Sequence, residues 1–295
     1  MDQASSLRKL IRGREERAER SAAEEQSRTR VISVTSGKGG VGKTNMVANL
    51  AVAFANKGKR VLIFDADLGL ANVDIVFGIH PEYHIGHVIT GEKELAEVIA
   101  PASEHIGVIP AASGDTHFAD LTEGQKLSLL AEFDGLDNLY DILLIDTAAG
   151  ISSNVIYFNS AAEECIVVVT GEPTSVTDAY GMIKVMFLNG SKHFKLLVNM
   201  ARGLQEAKAV YATLNQAADR FLKGAVLEFL GYVPYDDNLR QAVVGRKPVI
   251  EHFPGSASSR SITKLAEQLL KTPSGTTGSG NISFFMNRLI SGEYS

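Results

Sequence analysis

Between Gly37 and Asn45 the sequence gathers four glycines, two lysines and a threonine, Gly37-Lys38-Gly39-Gly40-Val41-Gly42-Lys43-Thr44-Asn45. The spacing fits G-x-x-x-x-G-K-[ST], a loop whose backbone N–H groups surround nucleotide phosphates. Glycines let the backbone approach an anion closely and adopt positive φ. Lys43 is placed to reach the β- and γ-phosphates, and the Thr44 hydroxyl to ligate Mg²⁺. Lys38 is surplus to that chemistry. One lysine suffices for a triphosphate, so the second requires a separate role.

Two acidic segments complement the loop. Phe64-Asp65-Ala66-Asp67 ends one apolar run, and two acids at a strand's end can serve a metal and a water separately. Leu143-Leu144-Ile145-Asp146-Thr147-Ala148-Ala149-Gly150 ends another. An acid closing an apolar strand beside a phosphate loop suits the support of Mg²⁺ through its water shell. The small residues after it leave room for backbone movement near a γ-phosphate.

The elements that must position these groups are legible from periodicity. Val31–Val34 is a short β-branched run, read as a buried strand. Met46, Val47, Leu50, Ala51 and Phe54 follow with helical spacing that stops near Lys57-Gly58. Further apolar runs at 61–64, 106–109, 142–145, 165–169, 196–198 and 227–233 alternate with helical stretches such as 182–188 and 210–222. Alternation of this kind predicts an α/β fold, a doubly wound and mostly parallel sheet with helices on both faces, over residues 31–271. Ligands on such sheets sit at the carboxyl ends of the strands, where the loop and both acidic segments fall.

Composition limits the alternatives. The chain has 295 residues, a net charge of −5 and a single cysteine, Cys165. One cysteine rules out an internal disulfide and a Cys-x-x-Cys metal site. Net acidity gives no electrostatic reason to expect nucleic acid as a partner. No stretch has the apolar length of a signal peptide or a membrane span, so the expected location is cytoplasmic unless the chain is recruited to a membrane. His80, His84 and His87 have metal-like spacing, but Pro81 and Gly86 disfavour one helix through them, and a surface loop is expected. In Glu172-Pro173-Thr174-Ser175-Val176-Thr177-Asp178, Thr174 or Ser175 is expected to cap a helix with Asp178 in its first turn.

Both ends differ from the middle. Residues 1–30 carry a dense mixture of arginine and glutamate, with Leu7, Leu10 and Ile11 as the only apolar stripe. Residues 272–281 read as a flexible linker. In residues 282–295, Ile282, Phe285, Met286, Leu289 and Ile290 fall at i, i+3, i+4, i+7 and i+8, with Phe284 alongside, the pattern of a short amphipathic helix. Arg288 is the only base inside it. A membrane surface, a partner protein or the chain's own domain could each receive that face.

The combination Lys-Gly-Gly-Val-Gly-Lys-Thr, Asp-Ala-Asp and Asp-Thr-Ala-Ala-Gly resembles the deviant Walker A ATPases typified by MinD and ParA, across about residues 30 to 270. The resemblance implies a homodimer that sandwiches two ATP molecules, with Lys38 reaching the phosphates of the neighbouring site and stabilising transition-state charge. It further implies that Asp67 orients the attacking water, that Asp65 and Asp146 support the Mg²⁺ shell with Thr44 on the metal, and that Asn199 and Pro234 contact adenine. ATP and ADP rather than guanine nucleotides are the implied ligands, and no Asn-Lys-x-Asp motif is present. The carboxyl-terminal segment resembles the membrane-targeting sequence of MinD, which implies reversible binding to lipid at the inner face of the cell membrane. Asp2-Gln3-Ala4-Ser5-Ser6-Leu7-Arg8 matches the Asp-Gln-Ala-x-x-Leu-Arg motif of the MinD-like regulators of flagellar number and placement, the FlhG (YlxH/FleN) family. That likeness implies activation of the GTPase FlhF through Asp2, Gln3, Ala4, Leu7 and Arg8, and contact with flagellar C-ring proteins. The alternatives are a DNA-partitioning ATPase of ParA type, a division-site ATPase of MinD type, and a nucleotide-dependent scaffold with little turnover.

Overall fold

Each apolar run forms a strand, and its burial follows its place in the sheet. In the computed structural model, residues 29–67, 72–111, 132, 133, 135, 136 and 139–272 are described. The amino-terminal motif, the linker beyond Thr272 and the carboxyl-terminal segment lie outside them. The strands are β1 (Arg30–Ser36), β2 (Val61–Ala66), β3 (Ala100–Ser103), β4 (Ile106–Ile109), β5 (Ile142–Ala149), β6 (Glu164–Val169), β7 (His193–Ala201) and β8 (Val226–Pro234). They form one sheet in the order β3-β4-β2-β5-β1-β6-β7-β8. Every pairing is parallel except β3 with β4. The central strands β2 and β6 are buried along their whole length, as parallel strands covered on both faces must be. The edge strand β8 is buried only in part.

Ten helical segments cover the sheet among the described residues: α1 (Lys43–Ala55), α2 (Val73–Phe77), α3 (Ile85–Ile89), α4 (Leu95–Val98), α5 (Ser153–Ala161), α6 (Pro173–Leu188), α7 (Leu204–Phe221), α8 (Asp237–Val244), α9 (Val249–His252) and α10 (Ala257–Lys271). One apolar layer joins α1 and α10 to the sheet through Met46, Leu50, Phe54, Ile262, Leu265 and Leu269. On the other face, one layer holds Phe64, Phe133 and Phe158, and a second packs α6 and α7 against β6 and β7. α1 stops where its spacing predicts, with Gly58 at φ 77° and its N–H donating to the Ala55 carbonyl.

Several details depart from the sequence expectation. The antiparallel edge strand β3 is Ala-Pro-Ala-Ser, with no apolar run to announce it, and Pro101 is tolerated because the strand is at an edge. α6 is entered through Glu172 with Pro173 in its first turn, and Asp178 lies beyond that turn. Neither Thr174 nor Ser175 caps it. The Ser175 hydroxyl accepts instead from the Thr170 N–H at 3.0 Å, and proline fits a first turn, where an N–H has no helical partner. His80 lies in a loop and His84 just before α3, while His87 is inside that short helix. His84 caps α3, its Nδ1 accepting from the Gly86 N–H at 3.1 Å, so Gly86 sits inside the helix. Among the described residues no group of three or more His, Cys, Asp or Glu could hold a metal ion.

The roots of β1, β6 and β7 are joined by a buried ionic cluster. Glu164 pairs with both Arg30 and Lys195. Burial pushes the Glu164 carboxyl up, but its two cationic neighbours outweigh that and hold it below the usual range. Glu164→Ala would leave two partly buried cations without their carboxylate. We expect a loss of about 3–5 kcal/mol in urea unfolding. Lys57→Ala breaks only the exposed pair with Glu267 and should cost less than about 1 kcal/mol.

Candidate nucleotide site

Five strands deliver side chains to one end of the sheet. β1 leads into the glycine-rich loop, and Gly42 at φ 90° begins α1 without any side-chain cap. The first N–H groups of α1 therefore face the cavity above them, as an anion site requires. Two glycines are fixed by packing. A Cβ on Gly37 would collide with the backbone of Asp178 in α6, and one on Gly42 would lie 2.5 Å from Asn199 Nδ2. Gly37 is thus required for the approach of α6, while Gly40, at φ 80° with open space around it, meets the conformational demand of the loop.

The cavity measures about 740 Å³. Its wall contains Gly39 through Asn45, Asp67, Asn199 and Pro234, so most of the nucleotide-binding residues expected from sequence converge. Gly37, Lys38 and Asp65 are not part of that wall. Asp146 lies just beneath it, its Oδ1 accepting from Lys43 Nζ at 2.6 Å in a pair that is almost fully buried. Burial pushes the Asp146 carboxyl up, Lys43 and Thr44 oppose the shift, and the charge of Asp67 adds to it. The net direction is upward.

Asp65 stands opposite Asp146 in the β2–β5 register. Its carboxylate accepts from the N–H groups of Asp67 at 3.1 Å, Asn72 at 3.0 Å and Val73 at 3.2 Å. This geometry makes Asp65 a clamp on the backbone around Asp67 and at the start of α2. Burial first, and the neighbouring Asp146 second, push its carboxyl up to about 7, against those three hydrogen bonds.

Lys38 points away from the cavity. Its ammonium donates to Glu172 Oε2 at 2.8 Å and Thr174 Oγ1 at 3.1 Å, at the start of α6, with the lysine side chain 39% exposed. Asn199 Nδ2 donates to the Val41 carbonyl at 2.8 Å, tying the end of β7 to the loop. Sequence reasoning missed much of the remaining wall, namely Met200, Tyr235, Asp236, Leu239, Arg240 and Val243. Asp236, Leu239, Arg240 and Val243 recur at i, i+3, i+4 and i+7, one face of a helix directly after Pro234, and that periodicity was the available signal. Met200 holds φ 56°, a strained value for a side-chain-bearing residue, at the cavity edge.

A parallel sheet with an anion-binding loop after its central strand, a buried lysine and an acid on the adjacent strand defines a P-loop nucleotide-binding protein. Residues 29–189 match the AAA domain family. The chain is 42% identical over 261 residues to the antiactivator FleN of Pseudomonas aeruginosa, covering 88% of this chain and 93% of that protein. It is 34% identical over 242 residues to the flagellum site-determining protein YlxH of Helicobacter pylori, covering 82% of each. Among solved structures, the septum site-determining protein MinD of Pyrococcus horikoshii, complexed with Mg-ADP, superposes with a TM-score of 0.67 at 27% identity, covering 82% of this chain and 96% of that one. The chain belongs to the MinD/ParA-type P-loop ATPases, in the group of FleN and YlxH, and it is an ATPase. Among the described residues no helix is long and apolar enough to cross a membrane.

The two raised carboxyls set a pH dependence. Asp65 binds its proton more tightly folded than unfolded, so its own contribution to stability is fully present below the unfolded value near 4 and is lost as pH rises through about 7. Above about pH 5 the carboxyls held low, such as Glu164 and Asp141, are charged in folded and unfolded chain alike and contribute no slope. Thermal melts of nucleotide-free protein should therefore show falling stability between pH 5 and 7. Asp65→Asn should be less stable throughout yet have a flatter slope, and equal slopes would contradict the assignment.

Proposed function

We propose that the chain is an ATP-driven dimerisation switch that associates reversibly with a membrane and regulates the number and placement of flagella. The observation that carries the reading is the direction of Lys38. With its ammonium on Glu172 and Thr174, outside its own cavity, Lys38 is not part of the phosphate cradle of its own subunit. A half-exposed ammonium at the rim is available to a facing copy once a surface ion pair worth no more than about 1 kcal/mol is given up. The relatives FleN and YlxH support the flagellar setting.

In this mechanism the loop N–H groups and Lys43 bind the β- and γ-phosphates of ATP, and Lys43 leaves Asp146 to do so. The oxygen donors at the floor, the Thr44 hydroxyl and the Asp146 carboxylate, fit a magnesium ion. Mg²⁺ keeps much of its water and takes only one or two protein carboxylates. When bound it neutralises phosphate charge. Asp67, held by the Asp65 clamp at the cavity wall, orients the attacking water. Asn199, Pro234 and the exposed Tyr235 ring take the base side. Lys38 of the facing copy stabilises charge developing on the transferred phosphoryl group. Hydrolysis then separates the copies and acts as a timer.

The ends of the chain give the switch its outputs. The segment 282–295 presents its apolar face to lipid, weakly from one copy and more firmly from two. Residues 1–30 engage and activate FlhF through Asp2, Gln3, Ala4, Leu7 and Arg8, and flagellar C-ring proteins are further partners.

The rate of ATP hydrolysis per molecule should rise with protein concentration and level off as dimers form. Lys38→Ala should bind nucleotide normally but stay slow at every concentration and remain monomeric by light scattering. Asp67→Ala should dimerise with ATP yet hydrolyse it about 10²-fold or more slowly. A Lys38→Ala protein that dimerises and hydrolyses like the wild type would sink the cross-subunit role. An unchanged rate in Asp67→Ala would take Asp67 out of the role of orienting the attacking water.

A further inference from the structure

A second cavity, of about 510 Å³, opens at the opposite end of the sheet from the nucleotide. It lies at the roots of β2, β4 and β5, between Arg60, Ile99, Ile106, Leu136, Leu139 and Tyr140. Its floor is apolar, with Ile106 and Leu136 buried, while Leu139 on its rim is 53% exposed. Gly107 lets the floor close up, since a Cβ there would lie 2.8 Å from both Ile99 Cγ2 and the Tyr140 hydroxyl. Nothing in the nucleotide chemistry uses this cavity.

Where the chain enters the domain indicates the occupant. Thr29, the first described residue, is fully buried, and its hydroxyl donates to the Tyr140 carbonyl at 2.7 Å. The next residue, Arg30, donates its N–H to the Asp141 carbonyl at 3.0 Å. The amino-terminal arm is therefore stitched to the wall of the cavity at its root. The carboxyl-terminal tail leaves from α10, which packs in the apolar layer of α1 and Ile106 and whose Leu269 carbonyl accepts from the Arg30 side chain, whereas Ile99, Leu136 and Tyr140, the residues on the side where Thr29 is bonded, belong to the layer on the other face. The arm carries one apolar stripe, Leu7, Leu10 and Ile11, followed by Gly13, a stop signal for a short helix. Between Ile11 and Thr29 the chain can reach about 60 Å extended or about 27 Å helical, ample to return to its own root. An apolar cavity at the base of a charged arm with a single apolar stripe has a matching ligand in the same chain.

We infer that the cavity at the roots of β2, β4 and β5 is the docking site of the amino-terminal arm, which inserts Leu7, Leu10 and Ile11 beside Leu139 and Tyr140. Docked, the arm withholds Leu7 from any other protein, so a partner must first draw the arm out. The inference does not depend on dimerisation, on lipid or on the identity of that partner.

The test uses the full chain. Cys165 is buried with its thiol pushed up to about 12, so it stays inert while engineered cysteines react. Leu10→Cys with Leu139→Cys, oxidised by copper phenanthroline, should form an intramolecular disulfide at least tenfold faster than Leu10→Cys with Phe221→Cys, whose partner position is 64% exposed at the end of α7. Equal rates, or a disulfide only between two molecules, would overturn the inference. Leu139→Asp alters an exposed rim residue and should leave nucleotide binding unchanged, yet tryptic cleavage within residues 8–20, followed by intact mass, should quicken at least fivefold. Cleavage at the wild-type rate would overturn it as well.

Discussion

The buried pair of Lys43 with Asp146 is the constraint on which the rest of the site depends. It fastens the glycine loop to β5 across the floor of the cavity. Taking both charges out of water carries a desolvation penalty that their attraction repays only with good geometry. The fold supplies that geometry by placing β5 directly beside β1, so that Val34 faces Asp146 in register and the loop begins three residues later. A phosphate offers the same lysine more charge and more acceptors. The pair therefore holds the loop in shape while remaining exchangeable for a nucleotide. Asp65 stands opposite Asp146 on the next strand; burial first and that neighbour second push its carboxyl pKa up, and three backbone donors keep it in place as a clamp.

What the sequence makes legible follows from what a parallel sheet does to a chain. Central strands covered on both faces must be apolar throughout, so Val61–Ala66, Ile142–Ala149 and Glu164–Val169 read clearly, and the polar residues closing them mark the ligand end. Edge elements obey no such rule. β3, Ala-Pro-Ala-Ser, carries no pattern because half of it faces solvent and its pairing is antiparallel. The start of α6 departs from its local pattern for a related reason. Serine and threonine beside a proline look like caps, but Pro173 already fits the first turn and Ser175 serves the Thr170 N–H instead.

Within the site, the residues set by phosphate chemistry were legible and those set by tertiary approach were not. Gly39 to Thr44 satisfy a spacing rule that acts along the chain. Gly37 belongs to the same motif, yet its lack of a side chain is demanded by the backbone of α6, more than 140 residues away in sequence, which no local pattern encodes. The same holds for Lys38. Its type marks it as surplus, but its direction is set by Glu172 and Thr174, contributed by a segment whose sequence reads only as a helix start. Asp65 and Asp67 look equivalent as a pair of acids. Burial separates them, one turned to backbone N–H groups and the other to the cavity wall.

The two ends of the sheet are not independent of one another, because α10 is bonded near both. At its start, Ser258 donates through its N–H and its hydroxyl to Asp236, at 2.9 and 2.8 Å, and Asp236 also caps α8 on the nucleotide cavity. Near its end, the Leu269 carbonyl accepts from Arg30 at 2.6 Å, beside the root of the amino-terminal arm and three residues before the last described position, Thr272. A helix of this length is a rigid rod of about 22 Å. Its apolar side is locked onto α1, the helix that begins at the phosphate loop. The phosphate loop, the α8 wall of the cavity and the root of the amino-terminal arm therefore share one connected set of rigid elements. α10 is thus bonded at its start to Asp236 on the nucleotide cavity and near its end to Arg30, the residue that follows the buried Thr29.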